Sequence, residues 1–458
     1  GMPLDPDRLA RSQARVGTLG AFRRVDLARL SEDSAPAKEA ASWRDGDLLL
    51  RLEERFPWVV TTSFGYDKTQ GYHVGLGLQR LNFMGMGRTL DFSIRAGDGT
   101  IHNPTLRKIF PTGNSDRSID TYSVGYLDPW FSPSLLPSWL PGNTRYRVEA
   151  AYIQERHPPY LVRRRRVLNS WEWHASPTLI FQVGHRFERA DVRGIGLNPD
   201  ERIDDEELNN AAHMPGHATI SAPYVQGVWD TRDNAYDPTE GGYSFAKLEL
   251  ANQMWGTSSN SSFVKLDLRQ QWNWPVGRHA WAGVLMLGAR VGLARATAAS
   301  SEDLPLSERF FAGGPYTQRG VEPDWLGPWG SVPLRYPYPP YDQQRQNGAL
   351  LYQMIPLGGQ GLALVNAEYR FPLYAPTFWG ELFVDSGQVY ESLRPAKDAQ
   401  TPFPPFRTSL GLGLILKFGI PIKVEYAADW KRMRGQFRTR QEKDTQLKGL
   451  LVSAGFQF

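Results

Sequence analysis

The stretch Ala363-Leu364-Val365-Asn366-Ala367-Glu368-Tyr369-Arg370-Phe371 decides the fold. In an extended chain Ala363, Val365, Ala367, Tyr369 and Phe371 share one face. Asn366, Glu368 and Arg370 share the other, because successive strand side chains point to opposite sides. The same alternation recurs far from here. Val264, Leu266 and Leu268 alternate with Lys265, Asp267 and Arg269, and Ile422, Val424, Tyr426 and Ala428 with Lys423, Glu425 and Asp429. Leu90, Phe92 and Ile94 alternate with Asp91, Ser93 and Arg95, and the terminal Leu450-to-Phe458 segment follows suit.

Period two begins at Phe56 and runs to the end, giving sixteen candidate strands. A soluble sandwich or lipocalin-like barrel would also alternate. Two features favour a membrane barrel. The polar faces carry both charge signs at consecutive positions, as a wet lumen allows. And roughly 25 residues per strand and connection suit one large antiparallel barrel.

The connections also alternate in length. Short links fall at 81–87, 176–177, 275–279, 372–377 and 419; long ones span 97–119, 188–221, 295–361, 388–405 and 431–447. Short turns at one end and long loops at the other are the asymmetry of an outer-membrane barrel. The links at 67–71 and 128–143 depart from it.

Composition agrees. Mean hydropathy is −0.44, and no stretch approaches the ~18 apolar residues of a membrane helix; a barrel strand needs only every second residue apolar. The chain has 15 Trp, 19 Tyr and 22 Phe, with Trp171, Trp173, Trp229, Trp281, Trp379 and Trp430 suited to interfacial girdles. Its 44 Gly and 34 Pro suit turns. A net charge of +4 over 458 residues gives no argument for nucleic acid. There is no Cys, and none of the eight His forms HExxH; GxSxG and Walker loops are also lacking. The sequence is therefore read as a non-enzyme with no cofactor or metal. Arg163 to Arg166 form a basic run in or near an external loop, read as a solvated edge, with lipopolysaccharide phosphates as the functional alternative.

Residues 1–55 differ. Asp5-Pro6-Asp7 reads as a helix start, and Arg24 to Leu27 and Leu48 to Leu52 read as strands. Gly1-Met2 reads as a cleavage scar, and the natural chain is expected to extend upstream through a signal peptide.

Several motifs carry a resemblance. Arg309-Phe310-Phe311-Ala312-Gly313-Gly314, followed by Gln318-Arg319-Gly320-Val321, lies after the eleventh candidate strand. Asn82 to Gly87, Asp230-Thr231-Arg232-Asp233-Asn234, Pro238 to Gly242, Glu368 to Pro372 and Phe383 to Gly387 occur around it. In this order they resemble the outer-membrane protein assembly factor superfamily, the BamA- and TamA-like proteins of bacterial surface antigen type, which join POTRA modules to a β-barrel. Gln318 stands where the family has Val or Ile, and Val321 where it has an aromatic. Leu9 to Val25 looks like the second helix and next strand of a POTRA module.

The resemblance implies an all-β membrane protein. A 16-stranded antiparallel transmembrane β-barrel would span residues 56–458, with a partial α+β POTRA module at 1–55 in the periplasm. Loop 295–361 would fold into the lumen, Arg319 and Gly320 being anchored on Glu368 and Asp385, and Gly313 and Gly314 shaping its backbone. The seam would join the strand near Trp58 to the last strand. There Gly455 would weaken pairing, and Phe456 and Phe458 would carry the terminal recognition signal. The implied function is insertion or folding of outer-membrane proteins, or translocation of proteins. The implied partners are unfolded outer-membrane or secreted proteins, outer-membrane lipids or lipopolysaccharide, and accessory lipoproteins or an inner-membrane partner reached through upstream POTRA domains. An exporter, a pore or transporter, and the barrel of a chain with an upstream enzymatic domain are the alternatives.

Overall fold

The computed structural model describes residues 13, 16–17, 22–29, 48–67, 71–97, 119–129, 144–157, 160–194, 205–212, 216–277, 282–298, 303–333, 352–394, 404–418, 420–434 and 450–454. Near the N-terminus β1 (Phe22–Arg29) pairs antiparallel with β2 (Leu48–Glu54), with Val25 opposite Leu52 and Leu27 opposite Leu50. Gln13, on a helical turn, donates a side-chain hydrogen bond to the Val25 carbonyl at 2.6 Å. Most of the helix expected before β1 lies outside the described residues.

The main sheet is all antiparallel. Its strands are β3 (Trp58–Asp67), β4 (Gly71–Phe83), β5 (Arg88–Gly97), β6 (Ile119–Asp128), β7 (Thr144–His157), β8 (Tyr160–His174), β9 (Leu179–Gly194) and β10 (His217–Asp230). They continue with β11 (Gly241–Ala251), β12 (Phe263–Val276) and β13 (Gly283–Ala296). A small hairpin, β14 (Trp329–Pro333) and β15 (Tyr352–Pro356), stands apart within the long loop. The sheet resumes with β16 (Gly361–Tyr374), β17 (Phe378–Tyr390), β18 (Arg407–Phe418), β19 (Ile420–Asp429) and β20 (Leu450–Ala454). Neighbours in sequence are neighbours in the sheet, except that β13 pairs with β16, and β20 returns to β3 to complete a barrel. Among the described residues that seam consists of Ser453 opposite Asp67 and Ala454 opposite Tyr66. β7 and β8 stay in register from Thr144–Trp173 to His157–Tyr160. Gly455, Phe456 and Phe458 lie outside the described residues.

The sheet is inside-out relative to a soluble protein. On β17, Leu382 and Val384 are 51% and 41% exposed, whereas Glu381 and Asp385, which flank them, are 1% and 0% exposed. Val365 on β16, Leu412 and Leu414 on β18, and Phe92 and Ile94 on β5 are likewise exposed, while Glu368, Arg370, Arg186, Glu188 and Glu425 are buried. Large apolar residues outside and charges inside are what a lipid-facing wall around a polar lumen requires.

The inward face changes character along the barrel. Near the long-loop end, Ala218, Ile220, Ala222, Leu362 and Leu364 pack against Phe310, Ala312, Val321 and Leu326 of the loop. A second apolar cluster joins Tyr160, Val162 and Val192 of the wall to Leu208 of helix α1 (Asp205–Ala212), Leu306, and Val332 and Ile355 of the hairpin. So the loop forms an apolar plug in this half of the lumen, and burial of those side chains holds it there.

Two sequence readings need correction. The long connection expected at 188–221 is shorter, because β9 runs to Gly194 and β10 starts at His217. And Arg163 to Arg166 are not in a loop: they lie within β8. The run was read as a loop edge for its charge, but charged residues are admissible on both faces of a strand near a membrane rim.

Candidate functional site

Residues 303–333 and 352–360 enter the lumen between β13 and β16. The loop's glycines set its path. Gly313 has φ 119°, and a Cβ there would sit 2.2 Å from the Glu322 carbonyl oxygen. Gly320 has φ 91° and faces Ser409, whose Oγ would lie 2.8 Å from an added Cβ. Both positions combine a left-handed backbone with close contact, so glycine is required twice over. Gly314 lies beside Gly313, and its amide donates to the Val321 carbonyl at 2.8 Å.

Between these glycines Arg319 is presented to the wall. Its Nε and Nη2 donate to both oxygens of Asp385 at 2.8 and 2.9 Å, a bidentate fork, and its backbone amide adds a third bond at 3.0 Å. Nη1 reaches Glu381 at 2.6 Å, Glu425 at 2.8 Å and Glu368 at 3.2 Å. The guanidinium lies over the Phe383 ring, 3.4 Å from its centroid. Gly411 on the next strand leaves room for that ring, since a Cβ there would approach it to 2.0 Å. Lys423 adds positive charge at 3.5 Å from Glu381 and 3.9 Å from Glu368. Asn366 locks the arrangement by donating to Asp385 at 2.8 Å and to the Thr317 carbonyl at 2.9 Å. The strand positions are fixed by period two: Glu381, Phe383 and Asp385 alternate with outward Leu382 and Val384.

Arg319, Glu368 and Asp385 are thus brought together as the resemblance implies. Glu381, Glu425, Lys423 and Phe383 were missed, although their inward parity on β17 and β19 was visible. The altered family positions also find roles. Gln318 is fully buried and donates to the Arg407 carbonyl at 2.7 Å, and Val321 is buried in the apolar plug.

A second anchor holds the loop just before its aromatic pair. Glu308 accepts two bonds from Arg186, at 2.9 and 3.1 Å, and an ion pair from Lys265 at 3.2 Å. Arg164 donates to the Ser307 carbonyl at 2.9 Å and to Glu188 at 3.0 Å. Arg186 also pairs with Glu249, so strands β8, β9, β11 and β12 all contribute. Phe310 and Phe311 then diverge: Phe310 enters the lumen plug, while Phe311 stacks on His157 and meets Tyr160 at a tilt. His157 Nδ1 lies 2.7 Å from Asp324 Oδ2, tying the loop to β7.

At the opposite end the turn joining β10 to β11 folds under the lumen. Asp233 accepts from the Thr239 amide and hydroxyl at 2.9 and 2.6 Å, and Arg232 pairs with Asp230 at 2.8 Å. This stapled turn presents Asp237 to Arg370 of β16 at 2.6 Å and to Lys417 of β18; Arg370 also donates to the Pro238 carbonyl at 2.6 Å. Arg370 Nε is 3.4 Å from Glu368, so an ion chain runs Asp237–Arg370–Glu368–Arg319. A polar cavity of about 540 Å³ lies between turn and loop.

The Arg319 motif on an inward loop, in a barrel of this order, is matched by comparison: residues 82–458 fit the Omp85 superfamily domain. The chain belongs to the Omp85 superfamily. Among solved structures, this Omp85 chain resembles BamA from Haemophilus ducreyi lacking POTRA domains 1–3, with TM-score 0.70 and 15% identity over 100% of this chain and 80% of that one. It also resembles CdiB from Acinetobacter baumannii, with TM-score 0.51 and 11% identity over 99% of this chain and 68% of that one. CdiB from Escherichia coli gives 0.52 and 10% over 100% and 72%. At these identities the structural likeness shows the fold. For the Omp85 domain here, the anchored loop is the site with most built-in specificity.

Proposed function

We propose that this chain is the barrel of an outer-membrane assembly factor, which inserts and folds other outer-membrane proteins through the seam between β20 and β3. The observation that carries this is the plugged lumen: the in-folded loop is anchored on the wall at Arg319 and at Glu308 and packs into an apolar plug, which leaves the wall rather than the pore for a substrate. In this reading β20 and β3 part, and the strand edge so opened is a template for an incoming strand. β3 also carries exposed Val60 and Phe64 beside that edge, suited to contact with apolar strand faces. The action needs neither cofactor nor nucleotide: the free energy comes from burying the substrate's apolar face in lipid and pairing its backbone. Family membership supports an outer-membrane location. The N-terminal sheet in the periplasm, as the end of a POTRA module, belongs to the same reading, as do unfolded outer-membrane proteins as substrates.

Likeness to the CdiB structures favours a second reading, export of a protein through the lumen. One experiment separates them. The chain has no Cys, so Asp67→Cys with Ser453→Cys places a single disulfide between paired strands, within reach of its geometry. In liposomes, the chain is expected to accelerate folding of a urea-denatured outer-membrane protein. Oxidation of the pair should abolish that acceleration and reduction should restore it. Unchanged acceleration with the seam locked would favour the lumen instead.

A further inference from the structure

Two adjacent strands place a cluster of arginines on the outside of the barrel. Arg164 and Arg166 of β8 pair with inward Glu188 and Glu149, so Arg163 and Arg165 face outward. Arg186 and Glu188 of β9 face inward, so Arg189 and Arg193 face outward. Arg165, Arg189 and Arg193 are exposed. The register sets Arg165 directly opposite Arg189 and Arg163 opposite Asp191. Among the described residues none of the four arginines has an ion-pair partner, and Arg163 Nε lacks any hydrogen bond. Like charges opposed across strands are destabilising. Asp191 is the one carboxylate alternating with them on the outward face of β9.

The cluster sits at a boundary. One step further along, the outward residues become apolar, with exposed Val167 opposite exposed Phe187. Tyr152, opposite Arg165 on β7, meets Tyr122 with ring centroids 6.2 Å apart; such amphipathic rings favour a membrane interface. This end of the barrel is the one from which the plug loop departs, as the chain of registers from β9 through β13 requires.

We propose that Arg163, Arg165, Arg189 and Arg193 bind the phosphates of a phosphorylated glycolipid in the leaflet at the loop-bearing end. The occupant follows from position and charge. A group here must be anionic, lie level with the rim of the apolar band and carry acyl chains over Val167 and Phe187. Two phosphates match opposed guanidinium forks, each of which takes phosphate oxygens bidentately. An acidic protein would have to reach past the rim into lipid. The inference rests on the membrane reading above.

The test uses the full chain in nanodiscs of phosphatidylcholine, titrated with diphosphoryl lipid A and read by native mass spectrometry. Diphosphoryl lipid A should bind about tenfold more tightly than the monophosphoryl form. Arg165→Gln with Arg189→Gln should weaken it by about tenfold, and added salt should weaken it too. Asp191→Asn, which removes the competing carboxylate, should tighten it. Equal binding by wild type and double variant, equal binding of phosphatidylglycerol, or full competition by inorganic pyrophosphate would each overturn the proposal. A chain that does not enter the discs would overturn the membrane reading, and this site with it.

Discussion

Glu308 takes two hydrogen bonds from Arg186 of β9, at 2.9 and 3.1 Å, six places round the barrel from β17, whose Asp385 and Glu381 hold Arg319. The loop is therefore clamped to two parts of the wall. Each clamp buries charge, so each is stable only while its partners are present.

Glu308→Ala leaves Arg186 and Lys265 facing one another without their shared carboxylate. Removing one member of a buried ion pair costs about 3–5 kcal/mol. The loop is expected to detach at this end, exposing Phe310 and Phe311. Limited proteolysis should cut within 303–333 in the variant and spare the parent. Equal resistance would show that apolar packing alone holds the loop.

Arg319→Ala should be as costly, at about 3–5 kcal/mol, since Asp385, Glu381, Glu425 and Glu368 are left converging. Arg319→Lys should recover only part of this, because an ammonium cannot make the two-pronged bond to Asp385 while reaching three glutamates. Urea unfolding midpoints of the detergent-solubilised barrel should rank parent, Lys and Ala in that order. A Lys variant equal to the parent would reduce the site to simple charge balance.

Asp237→Ala removes the link between the β10–β11 turn and the far wall. Asp237 is partly exposed, so the loss should be only about 1–2 kcal/mol, at the lower end of hydrogen bonds to charged groups. The expected outcome is local. Amide exchange should quicken over residues 231–241, and single-channel conductance should rise, with the unfolding midpoint barely moved. A global drop in stability would contradict a latch.

Gly313→Ala meets the Glu322 carbonyl and needs a left-handed backbone. Such strain costs on the order of 1–3 kcal/mol. It should weaken the Arg319 anchor without removing any charge, which loop proteolysis and the unfolding midpoint would both register.

The β10–β11 turn also responds to pH. The Thr239 hydroxyl, with the amides beside it, holds the Asp233 carboxyl down at about 2. A depressed carboxyl stabilises the folded turn above its unfolded value of about 3.9, and that contribution fades as pH falls towards the folded value. Asp233 is exposed, so the effect is small. Carbon-13 NMR of the labelled side chain should show titration near 2; titration near 3.9 would mean the staple is absent in solution.

The sequence determined the strands, because alternation is local. Val365 against Glu368, or Leu382 against Asp385, needs only neighbours in the chain to specify which face is which. Its motifs around Gly313, Gly314 and Gly320 carried the family resemblance, and that resemblance implied the anchor of Arg319 on Glu368 and Asp385. Arg163 to Arg166 show where local reading ends. Their charge suggested a loop, yet parity within β8 sends Arg164 into the lumen and Arg165 out. Only the tertiary structure decided which inward charges meet. Glu308 lies 122 residues from Arg186, and Glu425 lies 106 from Arg319. No pattern in the chain records that distance, because it depends on how registers accumulate around the ring and where the loop crosses it.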